Sequence, residues 1–170
     1  MECLEAIMSR RSIRRYTDEP VSETAVETVL RAAMAAPSAG NQQSWRFIVV
    51  TDEGLRERLA QATPYSRMVA HAPVAIVVCG DTREEKHPGY WVQDCAAAVE
   101  NALVAINALG LGAVWIGVHP IEERERAVRE ICGVIQGVRP FCLIALGHPE
   151  EAKPPAERFD PRFVMRERWS

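Results

Sequence analysis

The sequence has no CxxC pair, no histidine spacing suited to a metal, no glycine-rich phosphate loop and no low-complexity tract. Each absence closes a class of function. Cys3, Cys79, Cys95, Cys132 and Cys142 are odd in number, scattered and mostly set in apolar surroundings. They read as reduced, largely buried thiols of a cytoplasmic protein and not as a disulfide framework or zinc site. His71, His87, His119 and His148 lie too far apart for a shared ligand set, so no metal is expected. Neither GxGxxG nor GxxxxGK(S/T) follows any candidate strand, which removes both common backbone routes to a bound phosphate. The formal net charge is only −3; without a basic surplus no nucleic-acid partner is expected. Met1 to Glu5 lacks the basic and apolar regions of a signal peptide. Asn101 to Ile121 has no acidic residue, lysine or arginine, but its glycines, asparagines and Pro120 divide it into a helix end, a turn and a strand. It is read as core and not as a membrane span.

What remains is 170 residues with 48% hydrophobic and 25% charged content, enough for one domain with a real core. Periodicity predicts a short helix at Leu4 to Met8 and a second over Val26 to Met34, capped by Ser22 and stopped by Pro37. Strands are expected at 45–51, 73–79, 113–118 and 141–146, and further helices at 52–62, 91–109 and 120–132, the last carrying Glu122 and Arg126 one turn apart. Two helices precede the first strand and no phosphate loop follows any strand. The pattern therefore fits an α+β sandwich, with a central mainly antiparallel sheet flanked by helices, better than a doubly wound fold. Residues 1–170 are taken as one domain. Within it, 150–170 is rich in proline yet carries Phe159, Phe163, Val164, Met165 and Trp169. Such a segment needs a surface, either its own domain as a strap or a second subunit as an exchanged arm, and the arm is the favoured expectation.

Two stretches carry chemistry. The first is Arg10-Arg11-Ser12-Ile13-Arg14-Arg15-Tyr16. Guanidinium groups match a phosphate monoester with paired donors, and the alternation of side-chain directions leaves Arg15 as an ordinary surface charge. The second is Pro37-Ser38-Ala39-Gly40-Asn41-Gln42-Gln43-Ser44-Trp45, where successive amides offer the mixed donors and acceptors that read a flavin pyrimidine edge. A hydrogen-bonded turn with Gly40 and Asn41 at unusual backbone angles is the plainer alternative.

Together with Gly110 to Gly117, Gly147, Pro149 and Arg158, these stretches make the chain resemble the FMN-dependent nitroreductase family over nearly its whole length. The resemblance implies an NADH- or NADPH-dependent flavin oxidoreductase, acting on a small-molecule electron acceptor as a homodimer. Arg10, Arg11 and Ser12 match residues that hold the phosphate and ribityl tail. Arg14 matches a cation near flavin N1 and O2, where charge develops on reduction. Pro37, Ser38 and Ala39 match a loop reaching the flavin from the partner subunit, and Asn41 and Gln43 match amides near the ring. Trp115, Ile116, Gly117 and Val118 match the segment whose backbone lies at flavin N5, and Arg158 matches a late phosphate contact. No side chain is assigned as an obligatory acid or base, although Tyr65, Tyr90 and His71 are placed as possible pocket residues.

The chain also departs from the family pattern. Ala156 stands where many relatives have lysine, Ser44 where many have proline, and Arg83 to Tyr90 is too short for the usual lid. A flavin-sequestering protein and a narrow-substrate reductive enzyme are the competing readings.

Overall fold

The computed structural model describes residues 1–169. Its four strands are β1 (Trp45–Val50), β2 (Val74–Asp81), β3 (Gly112–Gly117) and β4 (Val138–Gly147). They form one sheet in the order β1-β2-β4-β3 with every pairing antiparallel. Among the described residues, the helices are α1 (Cys3–Ser9), α2 (Glu23–Met34), α3 (Glu53–Leu59), α4 (Trp91–Ala108) and α5 (Glu122–Cys132). None is long and apolar enough to cross a membrane.

Local chemistry sets these boundaries. Ser22 accepts a hydrogen bond from Ala25 N at 3.2 Å to start α2, Asp52 does the same for Leu55 N at 2.8 Å to start α3, and Gly133 closes α5 in the left-handed region at φ 64°. Strand β4 runs longer than its apolar pattern suggests. Its first residues pair with the end of β2 across a bulge at Val78/Cys79 that brings Pro140 opposite Cys79. The expected Glu122–Arg126 pair does not form among the described residues. Instead Glu125, one position before Arg126, is buried between Arg139, at 3.0 Å, and His119, at 2.7 Å.

The sheet is covered on both faces. Ile76, Val78, Ile144 and Leu146 meet α2 and α4, whereas Ala75, Val77, Leu143 and Ala145 meet α3, α5 and the 3-10 turn at Arg67–Ala70. A strand buried on both faces reads as a continuous apolar run, and all eight residues of β2 are buried. Helix α4 is the central helix of its layer, with Cys95, Ala98, Val99, Ala102 and Ile106 nearly inaccessible.

The edges differ. Along β3, Ser12 makes a parallel bridge to Ala113 and Ile13 N donates to Ala113 O at 2.9 Å. Gly112 permits this crossing, since a Cβ there would lie 2.8 Å from the Ile13 side chain. The amide stretch leads into β1 at the opposite edge and the opposite end, where Trp45 faces Gly80. Four strand spacings across the sheet and six residues along the strands separate Ser12 from Trp45 by roughly 28 Å.

Candidate functional site

The arginine segment is clamped by the start of the C-terminal stretch. Thr17 N donates to His148 O at 2.9 Å, Glu150 N to Arg15 O at 3.0 Å and Arg14 N to Glu151 Oε1 at 2.6 Å. Further along, Lys153 Nζ donates to Ser12 O at 2.6 Å and Arg11 Nε to Pro154 O at 2.7 Å. Residues 148–154 thus strap back over 11–17 of their own chain. The hydrogen bond from Arg14 N, with Lys153 and Arg15 close by, holds the Glu151 carboxyl below its ordinary range. The buried Tyr16 hydroxyl lies 2.6 Å from Ile13 O and 3.0 Å from Ala145 O, and burial raises its pKa well above the usual phenol value. This contact pins the curve of the segment against the sheet.

Within the clamp the four arginines separate. Arg10 lies 3.5 Å from Glu100 with its side chain 19% exposed. Arg15 points outward, 3.7 Å from Glu151. Arg11 spends Nε and Nη1 on backbone carbonyls, but its Nη2 is buried with no hydrogen-bond partner, the sole such side-chain atom among the described residues. A buried guanidinium nitrogen left unpaired is costly, and a bound anion would satisfy it. The Arg14 guanidinium makes no ion pair among the described residues and lines a cleft with Pro64, Tyr65, Arg67, Met68 and Val114 to Gly117.

The wall of that cleft is the β3 edge. Ala113 O points away from β4, toward Ile13, so the two-residue alternation of an antiparallel ladder turns the backbone groups of Trp115 and Gly117 outward as well. Gly117 O is taken by Arg124 Nη1 at 3.1 Å. The Trp115 and Gly117 N–H groups face the cleft side, beside the Arg14 cation and the Tyr65 ring. Ile116 and Val118 lie in the buried layer below; Val118 is inaccessible and its N–H bonds Phe141 O at 3.2 Å.

The amide stretch is built around a buried carboxylate. Asp94, on the first turn of α4, accepts from Ala39 N at 2.9 Å, Gln42 Nε2 at 2.7 Å and Ser44 Oγ at 3.0 Å. Gly40, Asn41 and Gln43 all take positive φ, near 50°. That conformation costs about 1 kcal/mol or more at each non-glycine residue, so the surroundings must enforce it. Gln43 N donates to Ser38 Oγ at 3.0 Å, and Gln42 Oε1 accepts His87 N at 3.1 Å. The His87 ring covers Gly40 closely enough that a Cβ would meet it at 2.3 Å. The turn and the short segment before α4 therefore form one unit, with Tyr90 half exposed beside His87.

Of the sequence-predicted residues, Arg10, Arg11, Ser12, Arg14, Trp115, Ile116 and Gly117 lie together at the β3 edge. Pro37, Ser38, Ala39, Asn41 and Gln43 lie together at the far corner, and Arg158 is exposed on the tail without an ion-pair partner among the described residues. Tyr65 does line the cleft, whereas His71 lines a neighbouring depression with Tyr16 and Glu150 that meets the cleft at Arg14. Three residues went unread in the sequence. Lys153 and Glu151 sit in a proline-rich tail whose course no local pattern gives. Asp94 carried the one usable signal, an acid in the first turn of a largely apolar helix.

Comparison with known proteins identifies the family and the fold. A family model described as the nitroreductase family matches residues 7–148. A protein of Archaeoglobus fulgidus named "Putative NADH dehydrogenase/NAD(P)H nitroreductase" is 46% identical, with 99% of each chain covered. A crystal structure of "Putative NADH Oxidase" from Clostridium acetobutylicum superposes with a TM-score of 0.94 at 42% identity, covering 96% of this chain and 99% of that one. A structure from Desulfovibrio desulfuricans, described as a "putative nitroreductase in complex with fmn", gives a TM-score of 0.85 at 35% identity, covering 100% and 99%. The chain belongs to the nitroreductase family.

Proposed function

We propose that this chain is an FMN-dependent NAD(P)H oxidoreductase that reduces electron-poor acceptors such as nitroaromatics or quinones, with each flavin held between two copies of the chain. The observation that carries the reading is the buried, unpartnered Nη2 of Arg11, a cation edge that a phosphate would satisfy beside Arg10 and Ser12. The cleft next to it fits the ring. Arg14 stands where negative charge develops on the reduced pyrimidine, and the outward N–H groups of Trp115 and Gly117 offer donors to the N5 side. The chemistry the flavin supplies when bound is hydride acceptance at N5 from the dihydronicotinamide, then two-electron delivery to the acceptor, with donor and acceptor using one face in turn.

The roughly 28 Å between the arginine segment and the amide turn supports the two-chain site. One chain does not bring them together, so Pro37 to Ala39, Asn41 and Gln43 would serve a second copy's flavin. The tail favours the same arrangement. Beyond the clamp, Phe159, Phe163 and Trp169 are each about four-fifths exposed, which suits an arm lying on a partner. Arg158 would then reach a phosphate. The relatives named above for NAD(P)H activity and for FMN support donor and cofactor.

The test is direct. Purified protein is expected to be yellow, with a flavin spectrum that NADH or NADPH bleaches and a quinone restores. A colourless protein that takes up no added FMN would refute the proposal.

A further inference from the structure

A second groove opens directly from the flavin cleft. The two share Pro64 and Arg67, and the outer one continues over Ala60, Ile121, Glu123, Arg124 and Ala127. Its chemistry differs from that of the cleft. The floor is apolar, with Ile121 45% exposed at the start of α5. Arg67 has no hydrogen-bond or ion-pair partner among the described residues, and neither does Glu123. Arg124 is held in place at the junction, donating to Gly117 O at 3.1 Å while its guanidinium covers the Tyr65 ring at 5.3 Å.

We infer that this outer groove binds the adenosine diphosphate half of the reduced pyridine nucleotide and that Glu123 makes the enzyme prefer NADH to NADPH. The inference rests on the oxidoreductase reading above. A dihydronicotinamide presented to the cleft must run the rest of its dinucleotide outward, and this groove is contiguous with the cleft through Pro64 and Arg67. Each part of that half has a counterpart there. Two guanidinium groups at the junction meet the pyrophosphate, which is the part nearest the nicotinamide. Ile121 and Ala127 give the adenine an apolar surface. A carboxylate accepts from a ribose diol, the device that selects NAD in other dinucleotide sites, and it repels a 2′-phosphate. Glu123 lines the groove itself, so a further phosphate beside it meets like charge.

The measurement uses FMN-loaded protein and two probes. ADP-ribose, which carries no nicotinamide, reads the groove by calorimetry without any turnover. Reduced nicotinamide mononucleotide, which carries no adenylate, reads the flavin cleft alone. ADP-ribose is expected to bind, and Arg67→Ala to weaken it at least fivefold. The same variant is expected to raise KM for NADH at least fivefold more than KM for reduced nicotinamide mononucleotide. Glu123→Gln is expected to lower the NADH to NADPH ratio of kcat/KM at least fivefold. Absence of ADP-ribose binding at millimolar concentration overturns the inference, as does a loss in Arg67→Ala that is equal for the two donors. If ADP-ribose binds as expected while neither donor bleaches the flavin, the groove stands as a nucleotide site and the oxidoreductase reading is the one that fails.

Discussion

Ser44 Oγ donates to Asp94 Oδ2 at 3.0 Å, and both side chains are almost fully buried, at 4% and 3% exposed. The carboxylate has two more donors, Ala39 N and Gln42 Nε2, and all three belong to the turn in which Gly40, Asn41 and Gln43 hold positive φ. A strained turn persists only when its surroundings over-determine it. Here one acid from α4 does that, and Ser44, standing where many relatives have proline, is one of its three partners.

Removing the acid should therefore loosen the turn before it unfolds the domain. Hydrogen bonds to a charged group are worth about 1.5–3 kcal/mol each, so Asp94→Asn is expected to lower stability by about 3 kcal/mol and Ser44→Ala by about 1–2 kcal/mol. If the turn touches a flavin, both variants also weaken FMN binding, in the same order. Chemical denaturation and flavin titration measure the two effects separately. Lost stability with unchanged FMN affinity would confine Asp94 to a folding role.

Arg11 is the sharpest test of the phosphate reading. Its Nε and Nη1 are satisfied by backbone carbonyls, and Nη2 alone is buried and unmet. Arg11→Lys keeps the charge but loses the fork and is expected to raise the FMN dissociation constant at least tenfold, about 1.4 kcal/mol. Apo-protein stability should fall as well, because lysine cannot keep both the bond to Pro154 O and the bond to Arg10 O, so FMN affinity is compared on protein shown to be folded. Equal FMN affinity in the variant would move the phosphate away from this residue.

The elements that position the site were legible because their signals are local: the Ser22 cap, the Pro37 stop, and the apolar runs of β2 and β4. The missed contacts share a different property. Asp94 and Glu125 look like solvent-facing helix charges, and only donors that arrive from Ser44, Gln42, Arg139 and His119 make their burial tolerable. The donors to Asp94 lie 50 to 55 positions away, and those to Glu125 come from outside its helix. The clamp of residues 148–154 over 11–17 is hidden for the same reason, since it joins segments more than a hundred positions apart. The arginine and amide motifs were readable as chemistry, but their separation across the sheet became visible only with the strand order.

Asp81 gives a pH signature. It is shielded at the end of β2, where three hydrogen bonds from Arg83, one of them from its backbone N–H, and an ion pair to Arg46 at 3.0 Å lower its pKa to about 2. A folded-state pKa below the unfolded value of 3.8 means that the contribution is complete above about pH 4 and is lost as pH falls toward 2. Asp81→Asn is therefore expected to be less stable than the parent at pH 5 to 7, with the gap narrowing between pH 4 and 2. Urea midpoints of the two proteins across that range decide the matter; a gap independent of pH would mean that the charge contributes nothing.

The tail supplies the last prediction. Up to Pro154 it is tied to its own chain by a ladder of short hydrogen bonds, and a chain shortened within that ladder would lose the clamp on Arg11 and Ser12. Beyond it, Phe159, Phe163, Val164 and Trp169 project large apolar surfaces into solvent, each worth roughly 1.5–3 kcal/mol if buried. Ending the chain after Arg158 removes these anchors and leaves the clamp and every site arginine in place. If the anchors lie on a second copy, the shortened protein is expected to sediment as a monomer at concentrations where the full chain is a dimer, and to lose its flavin as it dissociates. A shortened protein that remains dimeric and yellow would assign the interface to other surfaces, the exposed Leu4 and Met8 face of α1 being the first to test. A monomer that keeps FMN tightly would overturn the two-chain site itself, because the amide turn of a single chain lies too far from Arg11 and Arg14 to share one ring.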